Sequence, residues 1–163
     1  MRVTLIRHAE AGDDAPRDES RALTARGRAD ARRLGRALAR RGVRFTAIVT
    51  SPLVRAVQTA EIVAAATEYR GRMPATDVLV PEAAPRDVVV FLASVKIADE
   101  QSVALVAHEP ILSAVAAALL DQPRYPALRK AEALRIRLPD GPGAAGSLRW
   151  RVDGGTGKRE RLR

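Results

Sequence analysis

Two histidines occur in the 163 residues, and each closes an apolar run: His8 ends VTLIRH and His108 ends SVALVAH. An unprotonated imidazole is a competent nucleophile or base near neutral pH. Arg7 stands directly before His8, and Arg55 lies in SPLVRAVQTA at 51–60, one helical turn beyond a further strand end at Ser51. A planar guanidinium matches two oxygens of a phosphoryl group. The start of a helix adds free N–H groups and positive dipole at the same place. Arginines and a helix terminus converging on a nucleophile suit phosphoryl chemistry. Neither histidine belongs to an H-x-x-x-H or H-E-x-x-H arrangement and cysteine is absent, so neither metal nor cofactor is expected.

These side chains need elements to hold them. VTLIRH, FTAIVTS at 45–51 and SVALVAH at 102–108 read as buried strands, apolar on both faces. LTARGRADARRLGRALARRG reads as an amphipathic helix with Thr24 as N-cap and Gly42 as its stop. PLVRAVQTAEIVAAAT, PRDVVVFLASV and PILSAVAAALL read as three more helices, with Pro52 suited to a first turn and Pro110 opening the last. ALRIRLP and SLRWRV alternate apolar and basic residues around a glycine-rich turn, as edge strands or a terminal hairpin would. Strands alternating with helices imply a three-layer α/β/α sandwich on a mostly parallel sheet, with ligands outside the carboxyl ends of the strands. His8, Ser51 and His108 all fall at such ends. A single domain is expected over 1–153, followed by a basic, flexible tail over 154–163.

Composition narrows the function classes. The net charge of +9 invites a nucleic-acid reading, but only three of the 28 basic residues are lysine and the arginines are scattered. That skew resembles genome-composition bias. With aromatics at 3%, few stacking platforms exist for single strands. Nucleic acid is therefore not expected as a partner, whereas attraction for anionic substrates is. No apolar run is long enough to span a membrane, and the start MRVTLIRHAE lacks the features of a signal peptide, so the cytoplasm is expected.

RHAE after the first strand, R-x-L-T-x-x-G at 21–27, S-P-L-x-R-A-x-Q-T-A at 51–60 and V-A-H-E-P at 106–110 together resemble the histidine phosphatase (phosphoglycerate mutase-like) superfamily. The likeness covers roughly residues 1–120. By length, and by the proline shortly after the second histidine, it is nearest the compact SixA-type phosphohistidine phosphatases. The resemblance implies that His8 attacks phosphorus and carries the phosphoryl group. It also implies that Arg7, Arg55 and His108 hold the equatorial oxygens, with Arg21 as a further phosphate contact.

Larger relatives use an acidic residue after the second helix to protonate the leaving oxygen. Glu82 in VLVPEAAP is the positional candidate here, with Glu10 and Glu109 as others. A site with a poor acid suits P–N bonds, because imidazole leaves more readily than an alkoxide. The short span between Thr59 and His108 leaves no room for a large lid, so the mouth is expected to admit a phosphorylated side chain on a protein. Phosphohistidine on a protein is accordingly the expected substrate, and a monomer the expected state. A small sugar phosphate or nucleotide is the alternative substrate, and a noncatalytic phosphate- or nucleic-acid-binding module the alternative class.

Overall fold

The computed structural model describes residues 1–94 and 101–160. Strand β1 (Arg2–Arg7) is followed by helix α1 (Ala25–Arg40), β2 (Ala47–Thr50), α2 (Val54–Ala66) and α3 (Pro85–Ser94). Then come β3 (Ser102–Ala107), α4 (Ile111–Leu119), β4 (Glu132–Arg137), β5 (Ser147–Asp153) and the short β6 (Arg159–Glu160). The six strands form one sheet in the order β2-β3-β1-β4-β5-β6. The last residue of the expected third helix, Val95, lies outside the described residues.

Successive strand residues point to opposite faces of a sheet, and each face here has its own core. Val3 and Leu5 join Val103, Leu105, Val88, Leu92, Leu112 and Val115, which places α3 and α4 on one side. Ile6 joins Val106, Leu34, Leu38, Ala60 and Val63, which places α1 and α2 on the other. These two apolar layers around the sheet make the α/β/α sandwich.

The sheet is only half parallel. β2, β3 and β1 run together, but β4 is antiparallel to β1, β5 to β4 and β6 to β5. The expectation of a mostly parallel sheet is corrected on this point. After α4 the chain returns as an extended segment, and the Ala131 N–H donates to the His8 carbonyl at 3.1 Å. β4 therefore enters from the end where β1 finishes and must run the other way. Nor is β4 an edge strand, since it pairs on both sides. Arg33 donates to the carbonyls of Gly154 and Gly155 at 2.9 and 2.8 Å, and β6 pairs with β5.

Thr24 caps α1 as expected, its hydroxyl accepting from the Gly27 N–H at 2.9 Å, and Gly42 ends that helix with φ of 67°. Pro52, in contrast, lies two residues ahead of α2. Gly27 matters for a second reason. The first turn of α1 presses against the loop after His8, where the Glu10 carbonyl accepts from the Thr24 N–H at 3.0 Å. A Cβ on Gly27 would meet that carbonyl oxygen within 2.0 Å. Gly27→Ala is expected to cost about 1–3 kcal/mol by overpacking, measured as a lower denaturant midpoint.

Candidate active site

The parallel register brings the two histidines together. Arg7 pairs with Ala107, and the His8 N–H donates to the Ala107 carbonyl at 3.0 Å, so the next residue of each strand projects from the same edge. The imidazole rings of His8 and His108 lie 4.9 Å apart between centroids, tilted by 53°. Both are nearly sealed from solvent, at 8% and 2% exposure.

The hydrogen bonds define what each ring can do. His8 Nδ1 lies 2.6 Å from the Ala9 carbonyl, which can only accept, so Nδ1 carries the proton and donates. Burial, reinforced by Arg55, Arg7 and Lys130, pushes the His8 pKa down to about 4. Nε2 is then left with a free lone pair at neutral pH. His108 shares a 2.8 Å hydrogen bond with the Ser51 hydroxyl through Nε2, while its buried Nδ1 has no partner among the described residues. Burial first, then His8 and Arg55, lowers its pKa to about 3. His108 thus contributes a polar ring nitrogen to the site rather than a positive charge.

A histidine whose folded pKa lies below its unfolded value takes up its proton more readily when unfolded. Stability from His8 is complete above pH 6.5 and is lost as the pH falls toward about 4. The loss from that shift is about 3 kcal/mol. NMR titration should show neither ring changing protonation between pH 8 and 5, with the denaturation midpoint declining below pH 6.5.

Two guanidinium groups face this pair. Arg55, in the first turn of α2 and 6% exposed, donates from Nη1 to the Asp18 carbonyl at 2.7 Å. Its Nη2 donates to Asp18 Oδ2 at 2.8 Å. Arg7 donates from Nη1 to the Leu128 carbonyl at 2.6 Å, and its buried Nε has no partner among the described residues. The α2 residues beyond Arg55 tie down the loop after His8. Thr59 Oγ1 accepts from the Ala9 N–H at 3.1 Å, and Gln58 Oε1 accepts from the Leu23 N–H at 2.8 Å.

Asp18 had no signal in the sequence beyond being acidic, three residues before Arg21. Its carboxylate bridges Arg55 and Arg21, and the hydrogen bond from Arg55, then that from Arg21, holds its pKa below the usual carboxylate value. An anion already rests where Arg55 presents its fork. Arg21 reaches this centre only through Asp18, since its other nitrogens donate to the Gly12 carbonyl and Asp13. Arg21, expected as a further phosphate contact, thereby also braces the 12–21 loop. Lys130 was also missed; it is exposed, and its charge bears on His8.

The candidate acids are dispersed. Glu82 is exposed and makes no hydrogen bond or ion pair among the described residues. Glu10 leans toward Arg26 at 3.7 Å. Glu109 is committed on both oxygens: Oε1 accepts from the Leu128 N–H at 2.8 Å and Oε2 from the Ser113 hydroxyl at 2.6 Å. Because the Leu128 carbonyl receives Arg7, Glu109 anchors the segment that orients that guanidinium.

The pattern of the histidine phosphatase superfamily (branch 1) matches residues 3–77, which include Arg7, His8 and Arg55. An uncharacterized protein of Picosynechococcus sp. is 34% identical over 121 residues, covering 73% of each chain. The chain belongs to the histidine phosphatase superfamily. Solved histidine phosphatases share its fold. The protein histidine phosphatase SixA complexed with tungstate superposes with a TM-score of 0.89 at 24% identity, covering 97% of this chain and 100% of that one. SixA from Agrobacterium tumefaciens gives a TM-score of 0.72 at 27% identity, over 85% and 95%. As a histidine phosphatase, the chain is a hydrolase of the phosphatase class.

Proposed function

We propose that this histidine phosphatase hydrolyses phosphohistidine on a protein, passing the phosphoryl group through His8. The observation that carries the reading is the neutral His8 ring, its Nδ1–H tied to the Ala9 carbonyl and its Nε2 free beside His108. In the first step the Nε2 lone pair forms a bond to phosphorus. The substrate imidazole takes a proton from solvent on its other ring nitrogen, the bond from phosphorus to it breaks, and it leaves as the neutral ring. Water then attacks the phosphorus, releasing inorganic phosphate and restoring neutral His8. Arg55 and Arg7 hold equatorial oxygens and stabilise charge in the transition state, with a ring N–H from His108 joining them as the bound dianion raises its pKa.

The choice of a P–N bond rests on the carboxylates. Asp18 is the carboxylate hydrogen-bonded to Arg55, and Arg55 and Arg21 favour its ionised form. An ionised carboxylate is a poor proton donor to a departing alkoxide, whereas a phosphorylated imidazole needs much less help. The likeness to SixA supports the same substrate class. No helix among the described residues is long and apolar enough to cross a membrane. We propose the cytoplasm as its compartment and a monomer as its state.

Turnover of a phosphohistidine peptide should be compared with a panel of sugar phosphates and nucleotides. The expected result is a kcat/KM for the peptide at least about 100-fold above any ester, corresponding to about 2.7 kcal/mol of differential transition-state binding. Esters faster than the peptide would overturn the substrate assignment. Glu82→Gln is expected to leave peptide turnover within about twofold, because P–N cleavage makes little demand on an acid. A loss above tenfold would make Glu82 the proton donor after all.

A further inference from the structure

A second cationic cavity lies at the far end of the sheet from His8. It measures about 700 Å³ and is walled by Arg2, Arg41, Arg135, Arg137, Arg149 and Trp150. β1 begins at this cavity and ends at His8, a separation of about 20 Å for a six-residue strand. None of the catalytic residues contributes to it.

Basic residues are concentrated at this end of the sheet, where Arg2 and Arg137 are direct partners in the antiparallel ladder of β1 and β4. Arg135, on the same face of β4 as Arg137, is 6% exposed. Its guanidinium donates only to hydroxyls, Thr4 Oγ1 at 3.2 Å and Ser102 Oγ at 2.9 Å, and lies 5.7 Å from the centre of the Trp150 ring. Among the described residues no carboxylate pairs with Arg135 or Arg137. A buried guanidinium is normally matched by a carboxylate or a bound anion. The ladder adds a further sign of a built site. Between Arg135 and Ile136 the register shifts, so that Arg149 is the extra residue of a β-bulge in β5. Bulges re-aim side chains and are frequent beside binding sites.

We propose that this cavity is a binding site for an oligophosphate group. Several guanidinium forks converge on one concave space, the geometry that recognises adjacent phosphates bidentately. The volume falls within the range of small-molecule sites, and Trp150 supplies a flat surface at the wall. Inorganic tripolyphosphate and a nucleoside triphosphate present the same oligophosphate, and the difference between them reads whether a base adds contacts on Trp150. The site does not depend on the reaction assigned to His8.

Calorimetric titration of the intact chain with tripolyphosphate and with ATP, at about 0.15 M salt to screen diffuse attraction, tests this. The expected result is saturable binding at one equivalent to the His8→Ala/Arg55→Ala chain, in which the catalytic centre is disabled. Arg137→Ala should weaken it at least about tenfold and Arg135→Gln further. Arg137 is exposed, so its variant remains informative even if Arg135→Gln folds poorly. ATP binding tenfold tighter than tripolyphosphate would assign the base to Trp150, and equal affinities would assign the site to phosphates alone. Absence of saturable binding up to about 1 mM overturns the proposal. So does binding that is lost in His8→Ala/Arg55→Ala but retained in Arg137→Ala.

Discussion

His8→Ala is expected to lower phosphatase turnover at least about 10⁴-fold, the scale on which loss of a covalent nucleophile registers. His108 cannot substitute for it. Its Nε2 is engaged by Ser51 at 2.8 Å, and its ring sits beside the attacking position. The substituted chain keeps Arg7 and Arg55, so it should still bind inorganic phosphate, and the defect should fall on kcat rather than on KM. Rapid acid-free quenching with labelled substrate should trap a base-stable, acid-labile phosphoenzyme in the parent chain and none in His8→Ala. Free imidazole, small enough to enter the space vacated by the side chain, should restore part of the turnover. A His8→Ala chain within tenfold of the parent rate would mean that water attacks the substrate directly.

Arg55→Ala should cost about 10³–10⁵-fold, the range for an arginine that neutralises charge on a transferring phosphoryl group. Arg55→Lys should recover little of it, because an ammonium cannot reproduce the two parallel hydrogen bonds of the fork. Arg55 also holds the 12–21 loop through Asp18, and a loss of activity could arise from that tie alone. Asp18→Ala removes the carboxylate half of that tie and keeps the carbonyl. If the carboxylate contact is the whole role of Arg55, Asp18→Ala will be as impaired as Arg55→Ala and the double variant no worse. We expect Asp18→Ala to change kcat by less than tenfold while lowering KM, since it removes the carboxylate that competes with substrate for the guanidinium.

The meeting of His8 and His108 was legible in the sequence for a physical reason. A parallel α/β sheet delivers strand ends to one edge, so side chains at the end of VTLIRH and SVALVAH meet whatever lies between them. Thr24 and Gly42 were legible because capping and left-handed stops are local chemistry. The other half of the sheet was not, because strand direction depends on the path the chain takes after α4, and no pattern in 120–131 encodes it. Asp18 and Glu109 show the same limit. Whether a carboxylate donates a proton, bridges two arginines or fastens a loop is decided by neighbours distant in sequence, and Glu109 looked like a candidate acid until both of its oxygens were accounted for. Arg135 in ALRIRLP read as one of the basic residues alternating along an edge strand or terminal hairpin; its burial follows from β4 being flanked by β1 and β5.

β1 sits at the seam between the two halves of the sheet, with Arg2 opposite Ser102 on one side and Arg137 on the other. β1, which leads into His8, is thus made before both of its ladder partners, β3 and β4. Synthesis at roughly 5–20 residues per second leaves the nascent segment waiting several seconds for them, and such distant pairings also make folding slow. Until β3 and β4 emerge, His8 is an ordinary solvated imidazole with no second ring beside it. A nascent chain that has not yet made β3 therefore lacks the paired-ring site proposed for catalysis.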